Sequence, residues 1–160
     1  MKSPQTLNSA QAFRLLLSAF CLLAFCLLAS CTPNPISYAS TQQIDKKGWH
    51  SDEELICEVL IEDSLSLFHV DVTGRIQYTC PHDSLSLIIQ VTNPLDSSFR
   101  DTLSFVVSRV NNHLWEEFRF PYCSNVRFSA PGKWLFSFRH NMSDETLKGV
   151  MAIGVYITKQ

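Results

Sequence analysis

The chain is poor in glycine, five among 160 residues, and that scarcity leaves little room for the phosphate-cradling loops of nucleotide chemistry. It lacks a Gly-x-Ser-x-Gly nucleophile elbow and any paired-carboxylate motif, so no hydrolase signature is present. Neither a Cys-x-x-Cys nor a closely spaced His pair occurs, and these are what usually announce structural zinc. Basic excess is missing too: 13 Lys and Arg face 15 Asp and Glu, whereas a nucleic-acid partner requires a basic face that displaces counterions. Enzymatic function therefore has no positive support, and the expectation is a non-enzymatic protein without a cofactor.

What is present begins with the single long apolar run, residues 15–29, flanked by Lys2 and Arg14 and closing in Leu28-Ala29-Ser30-Cys31. The run is short for a span, which takes about 20 apolar residues. A positive flank, an apolar segment and small residues before the cut describe a secretory signal. A thiol directly after the cut makes it a bacterial lipoprotein signal, with Cys31 thioether-linked to diacylglycerol and becoming the first residue of the mature chain. Two or three acyl chains, at roughly 0.8 kcal/mol per buried methylene, hold a protein on a membrane far more firmly than one myristoyl chain. Residues 1–30 are thus expected to be a signal peptide. Thr32 is not the Asp associated with inner-membrane retention in some bacteria, so the outer membrane is favoured. The acidic cluster that often accompanies export to the outer face is absent after Cys31, which places the domain toward the periplasm.

Removing the signal leaves 130 residues, one domain's worth of chain, with 11 basic and 15 acidic side chains and a net charge of −4. It also removes Cys21 and Cys26 and commits Cys31 to lipid. Cys57, Cys80 and Cys123 remain; an odd count fits one bridge plus a free thiol, or three buried thiols acting as small hydrophobes, the reading favoured here. Residues 31–47, with Pro33, Pro35 and a polar stretch through Ser40 to Gln43, read as a flexible tether. The folded domain is expected over residues 48–160.

Within that domain the dominant period is two. Leu55, Cys57, Val59 and Ile61 share one face, as do Phe68, Val70 and Val72, then Leu85, Leu87 and Ile89, then Leu103, Phe105 and Val107. Trp115, Phe118 and Phe120 form an aromatic segment, Val126 and Phe128 a short strand, and Pro131-Gly132 a turn into Trp134, Phe136 and Phe138. A last strand runs from about Val150 to Ile157. Seven or eight short strands in one domain predict an all-β antiparallel sandwich, Ig-like or jelly-roll. The echo between Asp63-Ser64-Leu65-Ser66-Leu67 and Asp83-Ser84-Leu85-Ser86-Leu87 reads as a polar turn entering a strand twice over, not as a repeat.

Two candidate sites stand out. Cys80-Pro81-His82-Asp83 is the densest group of metal-ligating residues, with Cys57 and His69 as additions from neighbouring strands, yet its spacing favours a Pro-set loop with a solvated His82. His50, His113 and His140 are isolated and expected to be exposed or singly hydrogen-bonded. The aromatic load is heavy, and an exposed platform of Trp49, Trp115 and neighbours would suit glycan or peptide, against the alternative that large rings fill the space between two sheets. Trp134, Phe136 and Phe138 are assigned to the core; Trp49 and Trp115 stay open. Arg75 and Arg139 are expected to pair with nearby carboxylates.

The order of landmarks carries a resemblance: Gly48-Trp49, then Phe68-x-Val70-x-Val72-x-x-Arg75, Arg100-Asp101-Thr102-Leu103, Asn125-Val126-Arg127-Phe128, Pro131-Gly132, and Leu147-x-Gly149-Val150-x-x-Ile153-Gly154. Together with the lipid signal, this resembles the gliding-motility lipoprotein H (GldH-like) family over roughly residues 48–157. Departures fall at residues 111–122, where a Gly-rich Trp-Leu-Gly segment is replaced, and at His140-Asn141-Met142-Ser143, which lacks the family's arginine. The resemblance implies a lipid-anchored envelope protein whose partners belong to the gliding or type IX secretion machinery. The competing expectation is a ligand-binding lipoprotein built on Trp49 and Trp115.

Overall fold

The computed structural model describes residues 37–107 and 114–160; the signal segment, Cys31 and His113 lie outside the described residues. Among the described residues there are ten strands and no helix: β1 (Ser37–Gln43), β2 (Trp49–His50), β3 (Leu55–Ile61), β4 (Phe68–Gln77), β5 (Ser84–Thr92), β6 (Ser98–Val106), β7 (Trp115–Val126), β8 (Gly132–His140), β9 (Thr146–Leu147) and β10 (Val150–Lys159). The apolar alternation explains the longest of them, because successive side chains on a strand point to opposite faces. β3 buries Leu55, Cys57, Val59 and Ile61 and exposes the residues between, while β5 buries Leu85, Leu87, Ile89 and Val91 and leaves those between half-buried.

Eight strands form two antiparallel four-stranded sheets, in the orders β1-β10-β4-β7 and β3-β8-β5-β6; β2 and β9 make a separate short ribbon. Only β5 and β6 are both consecutive and paired within one sheet, so every other connection between long strands crosses to the opposite sheet. That connectivity is a jelly-roll, which decides between the two sandwich topologies the strand spacing allowed. The inner faces meet in one core, with Phe68, Phe138, Leu87, Ile89, Ile153 and Ile157 fully enclosed. Phe128 bridges Phe68 and Trp134, its ring centroid 5.4 Å from the first and 4.9 Å from the second.

The registers define two ends. Ser37 pairs with Thr158, Lys159 with Phe68, and Phe68 with Val126, so the start of β1, the end of β10, the start of β4 and the end of β7 share one end. The loops 62–67, 93–97 and 127–131 sit there too, since each joins strands that finish at that end. Gln77 and Trp115 mark the far end, where Tyr78 donates its N–H to Leu114 O at 3.2 Å.

Three expectations are corrected. Residues 37–43, taken as part of a flexible tether, are β1, hydrogen-bonded along their whole length to β10; the domain therefore starts before Gly48. β1 is an edge strand, only partly buried on one face, so it carries no run of alternating large apolar residues. Its one large inward ring, Tyr38, lies 6.2 Å from Phe68, and Gln42 Nε2 donates to Ile56 O at 2.7 Å, joining the edges of the two sheets. The segments around Phe118 and Val126 are one strand, β7, and Pro121 fits inside it because β7 is an edge that does not need every N–H. The five-residue echo takes two conformations. Asp83-Ser84-Leu85 enters β5 and buries Leu85, whereas Asp63 accepts from the Leu65 and Ser66 N–H groups and from Lys159 Nζ at 2.7 Å, holding a loop with Leu65 in solvent. The Lys159 ammonium, with the Ser66 bonds, keeps the Asp63 carboxyl far below its ordinary range.

Candidate functional site

The outer face of the β1-β10-β4-β7 sheet carries the densest arrangement of exposed rings and charges. Strand alternation sends Thr73 and Arg75 of β4 and Glu117 and Arg119 of β7 outward, opposite Val72, Ile76 and Phe118, which enter the core. Arg75 Nη2 donates to Glu117 Oε1 at 2.8 Å, and its guanidinium lies 4.3 Å from the centre of the Trp115 ring. Arg119 repeats the device one row along: Nε donates to Asp71 Oδ2 at 2.6 Å while the guanidinium lies 4.1 Å from the Tyr156 ring. A stacked and paired guanidinium is fixed in two directions at once. Between these two units is a hollow of about 300 Å³ lined by Thr41, Gln43, Thr73, Gly74 and the Arg and Glu side chains. Gly74 lets the Phe118 ring and the Ala152 carbonyl close in beneath it, since a Cβ there would strike both.

Of the two tryptophans left open by sequence, the structure separates one from the other. Trp115 is 44% exposed at the edge of the hollow. Trp49 is fully buried, which removes it from any surface platform. It caps the far end of the core from β2, donates Nε1–H to Glu53 O at 3.0 Å, and meets the His140 ring edge-on at 5.4 Å. Arg119 and Tyr156 were missed by sequence reading, although each occupies an outward position of a strand whose alternate residues are apolar.

His140 departs from the expected exposed or singly hydrogen-bonded ring: it is buried, and neither ring nitrogen has a hydrogen-bond partner of good geometry. Burial pushes its pKa below the ordinary histidine value of 6.5, against smaller opposing effects from the Trp49 backbone and Asp144, with His50 acting in the same direction as burial. The folded state therefore favours neutral imidazole. Above pH 6.5 both states are neutral there and nothing is gained or lost; as pH falls below 6.5 the unfolded chain takes up a proton the folded one resists, and stability declines. Melting temperature measured between pH 8 and 5 is expected to fall more steeply in the native chain than in His140→Phe.

The possible metal ligands are not brought together. His69 lies at the tether end beside Gln160, while His82 Nε2 is 2.7 Å from Asp144 Oδ2 at the far end. Cys57 and Cys80 are buried free thiols and Cys123 is half-buried and free. Burial raises the pKa of Cys57 and Cys123, so both are held as neutral thiols. Cys123 borders a smaller apolar slot of about 150 Å³ between the sheets, shared with Val70, Phe99, Tyr122, Phe128 and Phe136. The Tyr122 hydroxyl is enclosed there without a partner, and burial pushes its pKa up to about 12.

The sequence profile of the GldH lipoprotein family matches residues 36–157, which takes in β1 and the whole sandwich. The chain belongs to the GldH lipoprotein family. Membership makes this a lipoprotein, associated with the cell envelope through lipid, and the family match begins at the strand that sequence reading had assigned to the tether. No curated protein matches the GldH-family chain. Among solved structures, an Eiger TNF from S. frugiperda is 14% identical with a TM-score of 0.40, over 79% of this chain and 94% of that one. The dimeric latent PorU of Porphyromonas gingivalis is 9% identical with a TM-score of 0.34, over 82% of this chain and 13% of that one. TmCBM61 in complex with β-1,4-galactotriose is 11% identical with a TM-score of 0.33, over 76% and 70%. Superpositions this loose carry no functional information.

Proposed function

We propose that this GldH-family lipoprotein is a non-enzymatic accessory component of an envelope assembly associated with gliding motility and surface-protein secretion. In this reading lipid on Cys31 holds it at the outer membrane with its domain toward the periplasm, and the outer face of the β1-β10-β4-β7 sheet meets the partner. The observation that carries it is the pair of stacked arginines: Trp115 with Arg75 and Tyr156 with Arg119 are the residue types that dominate protein interfaces, already immobilised before any partner arrives. Asp71 and Glu117 are each engaged by an arginine, so the carboxylates beside the hollow are committed to structure rather than to proton transfer.

A strain lacking the gene is expected to lose surface-protein delivery or spreading, and normal behaviour in both would sink the reading. Complementation with Trp115→Ala should restore membrane-bound protein but not the phenotype, since truncating such an anchor costs about 2 kcal/mol, roughly thirtyfold in affinity. The second reading, a glycan- or peptide-binding lipoprotein, is favoured by the hollow lined by Thr41, Thr73 and Arg75, whose guanidinium stacks on Trp115. A glycan array separates the two: binding that disappears in Trp115→Ala supports the ligand reading, and no binding counts against it.

A further inference from the structure

The chain enters β1 at Ser37, six residues after Cys31, and six residues span at most about 20 Å. The sandwich is longer than that: β4, ten residues from Phe68 to Gln77, runs roughly 30 Å from the tether end to the far end. An inverted molecule, with Trp115 against the bilayer, would hold Ser37 farther from the surface than its own tether reaches. The tether end is therefore the end held near the membrane, given the lipid-anchor reading on which this inference rests.

The loops of that end expose large apolar side chains, as the far end does at Leu114 and Trp115, but only the tether end lies within reach of the bilayer. Leu65 in the loop 62–67 is 82% exposed and Leu95 in the loop 93–97 is 77% exposed, with Phe99 half-exposed just after it. Neither leucine has an apolar role inside the protein: the loop bearing Leu65 is held by Asp63, and the turn bearing Leu95 by Asn93 Oδ1, which accepts from the Leu95 and Ser97 N–H groups at 2.9 Å. Charge does not explain the surface either. Lys159 is paired with Asp63 and Lys133 with Glu58, and the one Arg of the three loops, Arg127, is outnumbered by the loop carboxylates Glu62, Asp63 and Asp96, so these loops carry no basic excess that would draw them to anionic headgroups.

We propose that the tether end of the sandwich docks on the bilayer that carries the anchor, with Leu65 and Leu95 buried at the boundary between headgroups and acyl chains. The loops then act as two apolar feet that hold the domain upright. Upright docking presents the outer face and Trp115 away from the lipid. Binding of this kind is apolar, so it is insensitive to salt.

The test uses the full lipidated chain in vesicles of phosphatidylethanolamine and phosphatidylglycerol, with and without brominated acyl chains, comparing native protein with Leu65→Trp and Leu95→Trp. Vesicle flotation first reports the anchor; a chain that fails to float removes the lipid-anchor reading and this inference with it. In a chain that floats, each added tryptophan should emit to the blue and lose about half its intensity to bromine, as expected roughly 5–10 Å into the boundary. The signal common to the native protein should change little, and added salt should not restore the lost emission. Added tryptophans that stay water-like overturn the proposal. So does a blue shift without quenching, which would mean that protein, a partner or a second copy, covers this end. Amide exchange in the native chain, slowed in residues 62–67 and 93–97 only on vesicles, gives the same decision without a substitution.

Discussion

Cys31→Ser is expected to abolish acylation, giving a chain that takes up no labelled fatty acid and keeps the mass of its uncleaved precursor. A serine hydroxyl cannot form the thioether that precedes cleavage, so residues 1–30 would stay attached and no lipid-held mature form would be found in the envelope. Each methylene withdrawn from the bilayer costs roughly 0.8 kcal/mol, so losing even one long acyl chain removes more binding energy than the exposed loop leucines could replace. Fatty-acid labelling with mass spectrometry of the membrane fraction checks this. A mature, labelled Cys31→Ser protein would show that the anchor lies elsewhere.

Trp49→Ala is expected to be the most damaging single change in the folded domain. Trp49 is fully enclosed, its indole N–H satisfies Glu53 O, and its ring is what His140 packs against. Replacing a buried Trp or Phe by Ala costs about 3–5 kcal/mol, a large share of the roughly 5–15 kcal/mol that holds a typical domain together. Trp115→Ala, the same chemical change on an exposed ring, should cost well under half of that. Thermal melts of the two variants side by side test whether the buried and exposed tryptophans were assigned correctly; equal losses would contradict the burial.

The sandwich was legible wherever one face of a strand is wet and the other dry, as in β3 and β5, because alternation then has two environments to report. β1 was illegible for the converse reason: it lies at an edge, half-buried at most, and its Ser, Thr and Gln residues are the composition of a linker. Sheet order was illegible because crossovers, not strand chemistry, distinguish a jelly-roll from an Ig-like sandwich. The ion pair of Arg75 was anticipated, but its partner Glu117 lies 42 residues away and is brought alongside only by the β4–β7 register. The same applies to Trp49, whose two-residue strand offers no period from which an inward direction could be read.

β1 has one more consequence. Seven register pairs, Ser37 with Thr158 through Gln43 with Ala152, fasten it to β10, and a lipid anchor on Cys31 would act on the domain through its Ser37 end. If a load arrives at the far end of the sandwich, β1 is sheared against β10 rather than peeled from it, and the bonds of the ladder must yield together instead of one by one. Under such a load, an edge strand that looks like the least secure part of the sheet would be the coupling that carries tension into the domain.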